Sequence, residues 1–236
     1  MEPILILENV KKVYQKAQRS VEALRGIDLT IDKGALLAIV GPSGSGKTTL
    51  LNIVGCLDQP TSGSVRYDGR ELGGMTEKEL AVYRKENISF IFQSYNLIPV
   101  LTVVENVELP MVIERRYTKK EMRDRAMQII SSVGLAEMSD RFPRELSGGQ
   151  EQRVAIARAL VKQPIVVLAD EPTANLDSHT AEEIVELMER MNGTRETTFI
   201  FSTHDALVQR HAHRVVTIRD GLIQADDAIT DERVHV

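Results

Sequence analysis

Apolar and polar positions alternate along this chain in segments of different period. Ile27, Leu29 and Ile31 alternate with Asp28, Thr30 and Asp32, the period of two of a half-exposed strand, and the turn Asp32–Gly34 ends it. Ala35–Val40, "ALLAIV", has no polar position at all, which predicts a strand covered on both faces. After the turn "DQPTSG", "SVRYDG" reads as an edge-type strand and Ile88–Phe92, "ISFIF", as a buried one. The N-terminal third is therefore strand-rich.

Helix signals then take over. Thr76 with Glu79, Thr102 with Glu105 and Thr118 with Glu121 fit S/T-x-x-E, in which a hydroxyl and a carboxylate satisfy each other's backbone N–H groups and open a helix. In the third, Met122, Ala126, Ile129 and Val133 share a face, and Gly134 is placed to end the helix. Residues 94–160 read as a helical insert. Beyond it come a strand "IVVLAD", a helix with Ile184, Leu187, Met188 and Met191 on one face and Asn192–Gly193 at its end, and the strands "TTFIFST" and "RVVTIRDG". This alternation predicts an α/β fold in one domain, 1–236, whose core comprises 1–93 and 161–236.

Composition narrows the function. A net charge of −5, with no Lys/Arg block longer than three, does not favour a polyanionic partner, so no nucleic acid is expected. A single cysteine, Cys56, allows neither an internal disulfide nor a zinc cluster, and its surroundings read as those of a buried small apolar residue. The apolar runs are too short for a membrane span and the start carries no leader pattern, which together predict a cytoplasmic protein reaching any membrane through a partner.

The chemistry lies in three motifs. "GPSGSGKT", Gly41–Thr48, matches G-x-x-x-x-G-K-[ST] between the apolar strand and a helix. Glycines allow a concave row of backbone N–H groups around phosphate, and the helix adds roughly half an elementary charge at its N-terminus. Lys47 supplies a cation for the β and γ phosphates and Thr48 a hydroxyl for Mg²⁺. "IVVLADEPT" delivers Asp170 and Glu171 to the carboxyl end of a strand, Asp170 suited to Mg²⁺ through water and Glu171 to orienting or deprotonating the attacking water; the plainer alternative is a pair of N-capping acids. "LSGGQ", Leu146–Gln150, has Ser147 to cap a helix whose first turn exposes the N–H groups of Gly148 and Gly149, either a second anion site or a tightly packed helix start.

In this order, with Gln93 before the helical region and His204 after a late strand, "GPSGSGKT", "LSGGQ" and "LADEPTANLD" resemble the ATP-binding cassette (ABC) ATPases over essentially the whole chain. The resemblance implies a P-loop NTPase fold with a RecA-like α/β core, an antiparallel β subdomain and a helical subdomain. It implies ATP and Mg²⁺ as ligands, ATP held by Tyr14 stacking on adenine and by Gly41, Pro42, Ser43, Gly44, Ser45, Gly46, Lys47, Thr48 and Thr49. It implies metal contacts from Thr48, Gln93 and Asp170, and catalysis by Glu171 with the switch histidine His204. Leu146, Ser147, Gly148, Gly149 and Gln150 of one copy would complete the other copy's site in an ATP-bound homodimer. Ala174, Asn175, Leu176 and Asp177 resemble the loop between the two sites, while Asp177 could also cap the next helix.

"VEALRGIDLTI", "GCLDQPTSGSV" and "FIFQSYNLIPVLTVVENVELPM" resemble the branch serving lipoprotein release and macrolide export. That implies an ATPase peripheral on the inner face of the cell membrane, driving integral-membrane permease subunits by dimer closure. The alternative is a nucleotide-gated regulator of a non-transporting envelope partner. Glu151 departs from the common Arg, Lys or Gln, and the short polar tail "DDAITDERVHV" sets the expectation of no added regulatory domain.

Overall fold

The computed structural model describes residues 2–16, 19–195 and 197–229. In chain order, the antiparallel pair β1 (Pro3–Lys16) and β2 (Arg19–Asp32) precedes β3 (Leu36–Val40), which leads into α1 (Lys47–Val54). β4 (Ser62–Tyr67), the two-residue β5 (Arg70–Glu71) and α2 (Glu77–Asn87) come before β6 (Ile88–Ile91). α3 (Val103–Glu114), α4 (Lys119–Ser132) and α5 (Gly148–Leu160) follow with no strand between them. β7 (Val166–Asp170), α6 (Ser178–Arg195), β8 (Thr198–Ser202), α7 (Ala206–His211), β9 (Arg214–Arg219) and β10 (Leu222–Ala228) complete the fold.

Two sheets result. One is antiparallel with order β2-β1-β4-β5; the other has order β10-β9-β3-β8-β7-β6 and is parallel except for β10. The unbroken apolarity of β3 has a direct cause, because alternate residues enter different cores. Leu36, Ala38 and Val40 join Val167, Ala169, Phe199 and Phe201 under α3–α7, whereas Leu37 and Ile39 join Leu168, Ile200 and Ile218 against α1 and the antiparallel sheet. The first of these cores continues without a break through Val154, Ile156 and Leu160 of α5 into Val107, Ala126 and Ile129.

All three threonine–glutamate boxes form with both bonds, as in Thr102 N–H to Glu105 Oε2 at 2.8 Å and Glu105 N–H to Thr102 Oγ1 at 3.4 Å. The first box opens α2, which lies before Gln93 and packs Leu80 and Tyr83 into the core beneath the antiparallel sheet. "ISFIF" is the hydrogen-bonding edge of its sheet although largely buried, since α2 and α5 approach it. "SVRYDG" is flanked by β1 and, at Arg66 and Tyr67, by β5.

One expectation on an element end is corrected. α6 does not stop at Asn192–Gly193 but runs to Arg195. Asn192 is buried, and its amide donates to Gly34 O at 2.9 Å and Thr197 O at 2.8 Å, so it ties the helix to strand ends instead of terminating it. The start of the polar tail is also structured, Asp226–Ala228 pairing with β9 as part of β10; residues 230–236 lie outside the described region.

Candidate active site

The parallel registers bring three strand ends to one edge. Ser202 of β8 lies opposite both Ile39 of β3 and Asp170 of β7, so the loops after these strands open into the same space. The loop after β3 turns on Gly41 (φ +151°), Gly44 (φ +78°) and Gly46 (φ +109°). A Cβ at Gly41 would sit 2.0 Å from Ile218 O, and one at Gly46 would sit 2.7 Å from Ala23 O. These two glycines are thus required by the backbone packed behind the loop as well as by any anion in front. Nothing lies within 4 Å of a Cβ at Gly44, which stands on the open side. Lys47 Nζ donates to Gly41 O at 2.7 Å and Pro42 O at 3.1 Å, holding the ammonium at the mouth of the loop.

A cleft of about 770 Å³ joins residues 41–49 to Gln93, Asp170, Glu171, Ala174 and His204. At its wall, Glu171 has φ +46°, its N–H bonds Ser202 O at 2.9 Å, and both carboxylate oxygens are engaged. Oε2 accepts from Thr203 Oγ1 at 3.1 Å and Oε1 meets His204 Nδ1 at 2.7 Å. A carboxylate only accepts, so Nδ1 carries the proton and Nε2 is left as the outward-facing nitrogen of a largely exposed ring.

Asn175 Nδ2 donates to Gln93 O at 2.9 Å, joining the loop after β7 to that after β6. Asp177 caps α6: Oδ1 accepts from Thr180 N–H at 3.0 Å and Oδ2 from Thr180 Oγ1 at 2.7 Å, bonds that lower its carboxyl below the usual range. Leu176 packs against the larger core.

The pentapeptide stands apart from this cleft. Ser147 Oγ accepts from Gln150 N–H at 3.3 Å and Gln150 Oε1 accepts from Ser147 N–H at 2.9 Å, a fourth capping box, opening α5. A Cβ on Gly148 would lie 3.2 Å from Tyr95 Oη, one on Gly149 2.4 Å from Thr180 Cγ2, and Leu146 packs on the core. None of residues 146–150 lines the cleft of their own chain.

Tyr14 also lies off the cleft lining. Its hydroxyl donates to Asp58 Oδ2 at 2.8 Å, and burial, then this bond, raises the phenol above its ordinary value. Burial alone would raise Asp58, but the bonds from Lys12, Tyr14 and Gln59 outweigh it and hold the carboxyl low. Val21, Glu22 and Ala23 of β2 do line the cleft, with half-exposed Val21 paired in register with Tyr14. Their segment, "VEALRGIDLTI", carries a family resemblance, but nothing in it marks them as lining a cleft, since an exposed valine on a strand is unexceptional. Cys56 follows α1 at φ +55°, buried, with its thiol pushed up to about 11 by burial.

A glycine loop between a central parallel strand and a helix, sharing one cleft with an acidic pair from the end of a strand two places along the same sheet, defines a P-loop ATPase. The profile of the ABC transporter family matches residues 24–174, and the chain belongs to that family. It is 43% identical over 229 residues to the ABC transporter ATP-binding protein MJ0796 of Methanocaldococcus jannaschii, covering 94% of this chain and 96% of that one. It is 43% identical over 234 residues to the macrolide export ATP-binding/permease protein MacB of Syntrophobacter fumaroxidans, covering 99% of this chain but only 33% of that protein, so it spans about a third of that relative's length. The dimeric structure of MJ0796 in a post-hydrolysis state with ADP and Pi superposes with a TM-score of 0.87 at 41% identity, covering 96% of this chain and 99% of that chain. The fold is that of an ABC ATPase cassette, which binds ATP and hydrolyses it. No helix among the described residues is long and apolar enough to cross a membrane.

Proposed function

We propose that the chain works as the ATPase of a transporter in which ATP closes two copies on each other and moves an integral-membrane permease from the inner face of the membrane. The pairing of Glu171 with His204 in the cleft of the phosphate loop carries this reading. Glu171 takes the proton of the attacking water, and His204, its Nδ1 bonded to Glu171, positions that water with it beside the γ-phosphate. Residues 41–49 hold the phosphates with their backbone N–H groups, Lys47 exchanging loop carbonyls for phosphate oxygens. Tyr14, beside Val21, serves the adenine side.

Thr48, Gln93 and Asp170 fit Mg²⁺ as oxygen donors sharing one cleft; among the described residues no cluster of three His, Cys, Asp or Glu forms an all-protein metal cage, and Mg²⁺ with substrate phosphates needs none. Bound there, the ion would neutralise charge on the phosphates. Ser147, Gly148 and Gly149, absent from their own cleft, act on the partner copy's nucleotide, with Leu146 and Gln150 framing them and Ala174–Asp177 lying between the sites. The permease reading is supported by MacB, whose name joins an ATP-binding part to a permease. The net charge of −5 speaks against nucleic acid.

Glu171→Gln tests both levels. Turnover should fall about 10²–10⁴-fold while ATP still binds; normal turnover would remove Glu171 from the mechanism. Tagged Glu171→Gln protein captured with Mg-ATP from detergent-solubilised membranes should retain a permease with a large extracytoplasmic domain. Recovery of soluble proteins alone would end the transport reading and leave the ATPase standing.

A further inference from the structure

Gln152 is fully buried on α5 and does not line the cleft. Its Nε2 donates to Pro172 O at 2.7 Å, while its Oε1 reaches no donor, one of two such buried side-chain atoms among the described residues. A methionine would fill the same space without an unpaired acceptor, so packing alone argues against an amide here. What the amide supplies is the bond to Pro172 O.

Pro172 directly follows Glu171, whose φ of +46° lies in the left-handed region disfavoured for residues with a Cβ. Such a conformation persists where its surroundings fix the backbone on both sides. On the N-terminal side Glu171 N–H bonds Ser202 O. On the C-terminal side Glu171 O accepts a long bond from Ala174 N–H at 3.3 Å, Pro172 has no N–H to add, and its carbonyl is held by Gln152 at 2.7 Å. Thr173 Oγ1 then donates to Asp205 Oδ2 at 2.8 Å.

We infer that Gln152 is a positioning residue for hydrolysis: through Pro172 O it holds the left-handed Glu171 backbone that turns the carboxylate to His204 and the cleft. The inference rests on the proposed role of Glu171. Since Ser147 caps α5, one helix also connects the element assigned to the partner's nucleotide with the base of its own site.

The test replaces Gln152 with Met, and with Leu as a second donor-less side chain, in the full chain. It measures kcat, KM for ATP and melting temperature beside Glu171→Gln. The expected result is kcat lowered about 10- to 100-fold with KM unchanged and the melting temperature of the Met variant equal or higher. In the Glu171→Gln background, Gln152→Met should add no further loss. An unchanged kcat would overturn the inference, and so would a kcat that falls only in step with melting temperature in both variants, which assigns packing. Normal turnover by Glu171→Gln would instead refute the role of Glu171 on which it rests.

Discussion

His211 shows how one side chain couples two helices to pH. Nδ1 lies 2.8 Å from Glu189 Oε2 and Nε2 3.1 Å from Glu182 Oε1, two carboxylates seven residues apart on one face of α6. Both bonds need a proton on each nitrogen, so the full pair belongs to the imidazolium. Burial alone would lower the pKa, but the bonds to Glu189 and Glu182 outweigh it and raise it above 6.5. A raised folded pKa gives stability that is complete below 6.5 and is lost as pH rises through the folded value. Against His211→Leu, the native chain should melt higher in acid, and the advantage should shrink as pH climbs into the alkaline range. A pH-independent difference in melting temperature would assign His211 a packing role only.

Among the elements, α5 and α6 meet in a tight contact. Gly149 is in the first turn of α5, and a Cβ there would lie 2.4 Å from Thr180 Cγ2. Thr180 cannot turn aside freely because its Oγ1 is bonded to Asp177 Oδ2. Gly149→Ala should therefore destabilise by about 1–3 kcal/mol through overpacking. Thr180→Ser removes the methyl and keeps the hydroxyl; in that background Gly149→Ala should become neutral or stabilise by up to about 1 kcal/mol, the helix preference of alanine. Urea unfolding of the four proteins checks this, and equal losses in both backgrounds would place the strain elsewhere. The two glycines of the pentapeptide are thus distinguishable: Gly149 answers to α6, while the nearest obstacle to a Cβ at Gly148 is the Tyr95 hydroxyl at 3.2 Å. Capping boxes are legible from sequence because they close within four residues, and Ser147 with Gln150 follows the same pattern as the threonine boxes. β10 had a signal too. Asp220 (φ +50°) and Gly221 (φ +75°) make the two-residue hairpin turn that Asp-Gly favours, and that dipeptide announces a returning strand.

For the whole molecule the question is what two copies do together. The relatives of known structure include dimers of the MJ0796 cassette, and residues 146–150 of this chain lie outside its own cleft. Ser147→Arg removes the cap of α5 and puts a long cation at its N-terminus without touching residues 41–49. If the pentapeptide acts on the partner's nucleotide, mixed dimers of Ser147→Arg and Lys47→Ala chains should hold one site with both defects and one with neither, or two singly defective sites under the opposite arrangement. Sharing between chains predicts the first pattern when both substitutions affect the same composite site. ATPase activity of defined mixed dimers, compared with each homodimer, separates the two; activity no higher than in the homodimers would contradict sharing.

Sequence alone determined what depends on near neighbours: the doubly covered strand from Ala35, the capped starts of α2 to α5, the glycine loop and the acidic pair at the end of a strand. Each follows from periodicity or from bonds spanning a few residues. Tertiary structure decided what depends on strand order and register. Asp170 stands beside Ser202 because β7 and β8 are neighbours, and Glu171 consequently meets His204, thirty-three residues on. The left-handed backbone of Glu171, its anchor through Gln152 and the hold of Asp58 on Tyr14 likewise join segments distant in the chain. No periodicity records such pairings, because the energy that selects them arises only when separate elements pack.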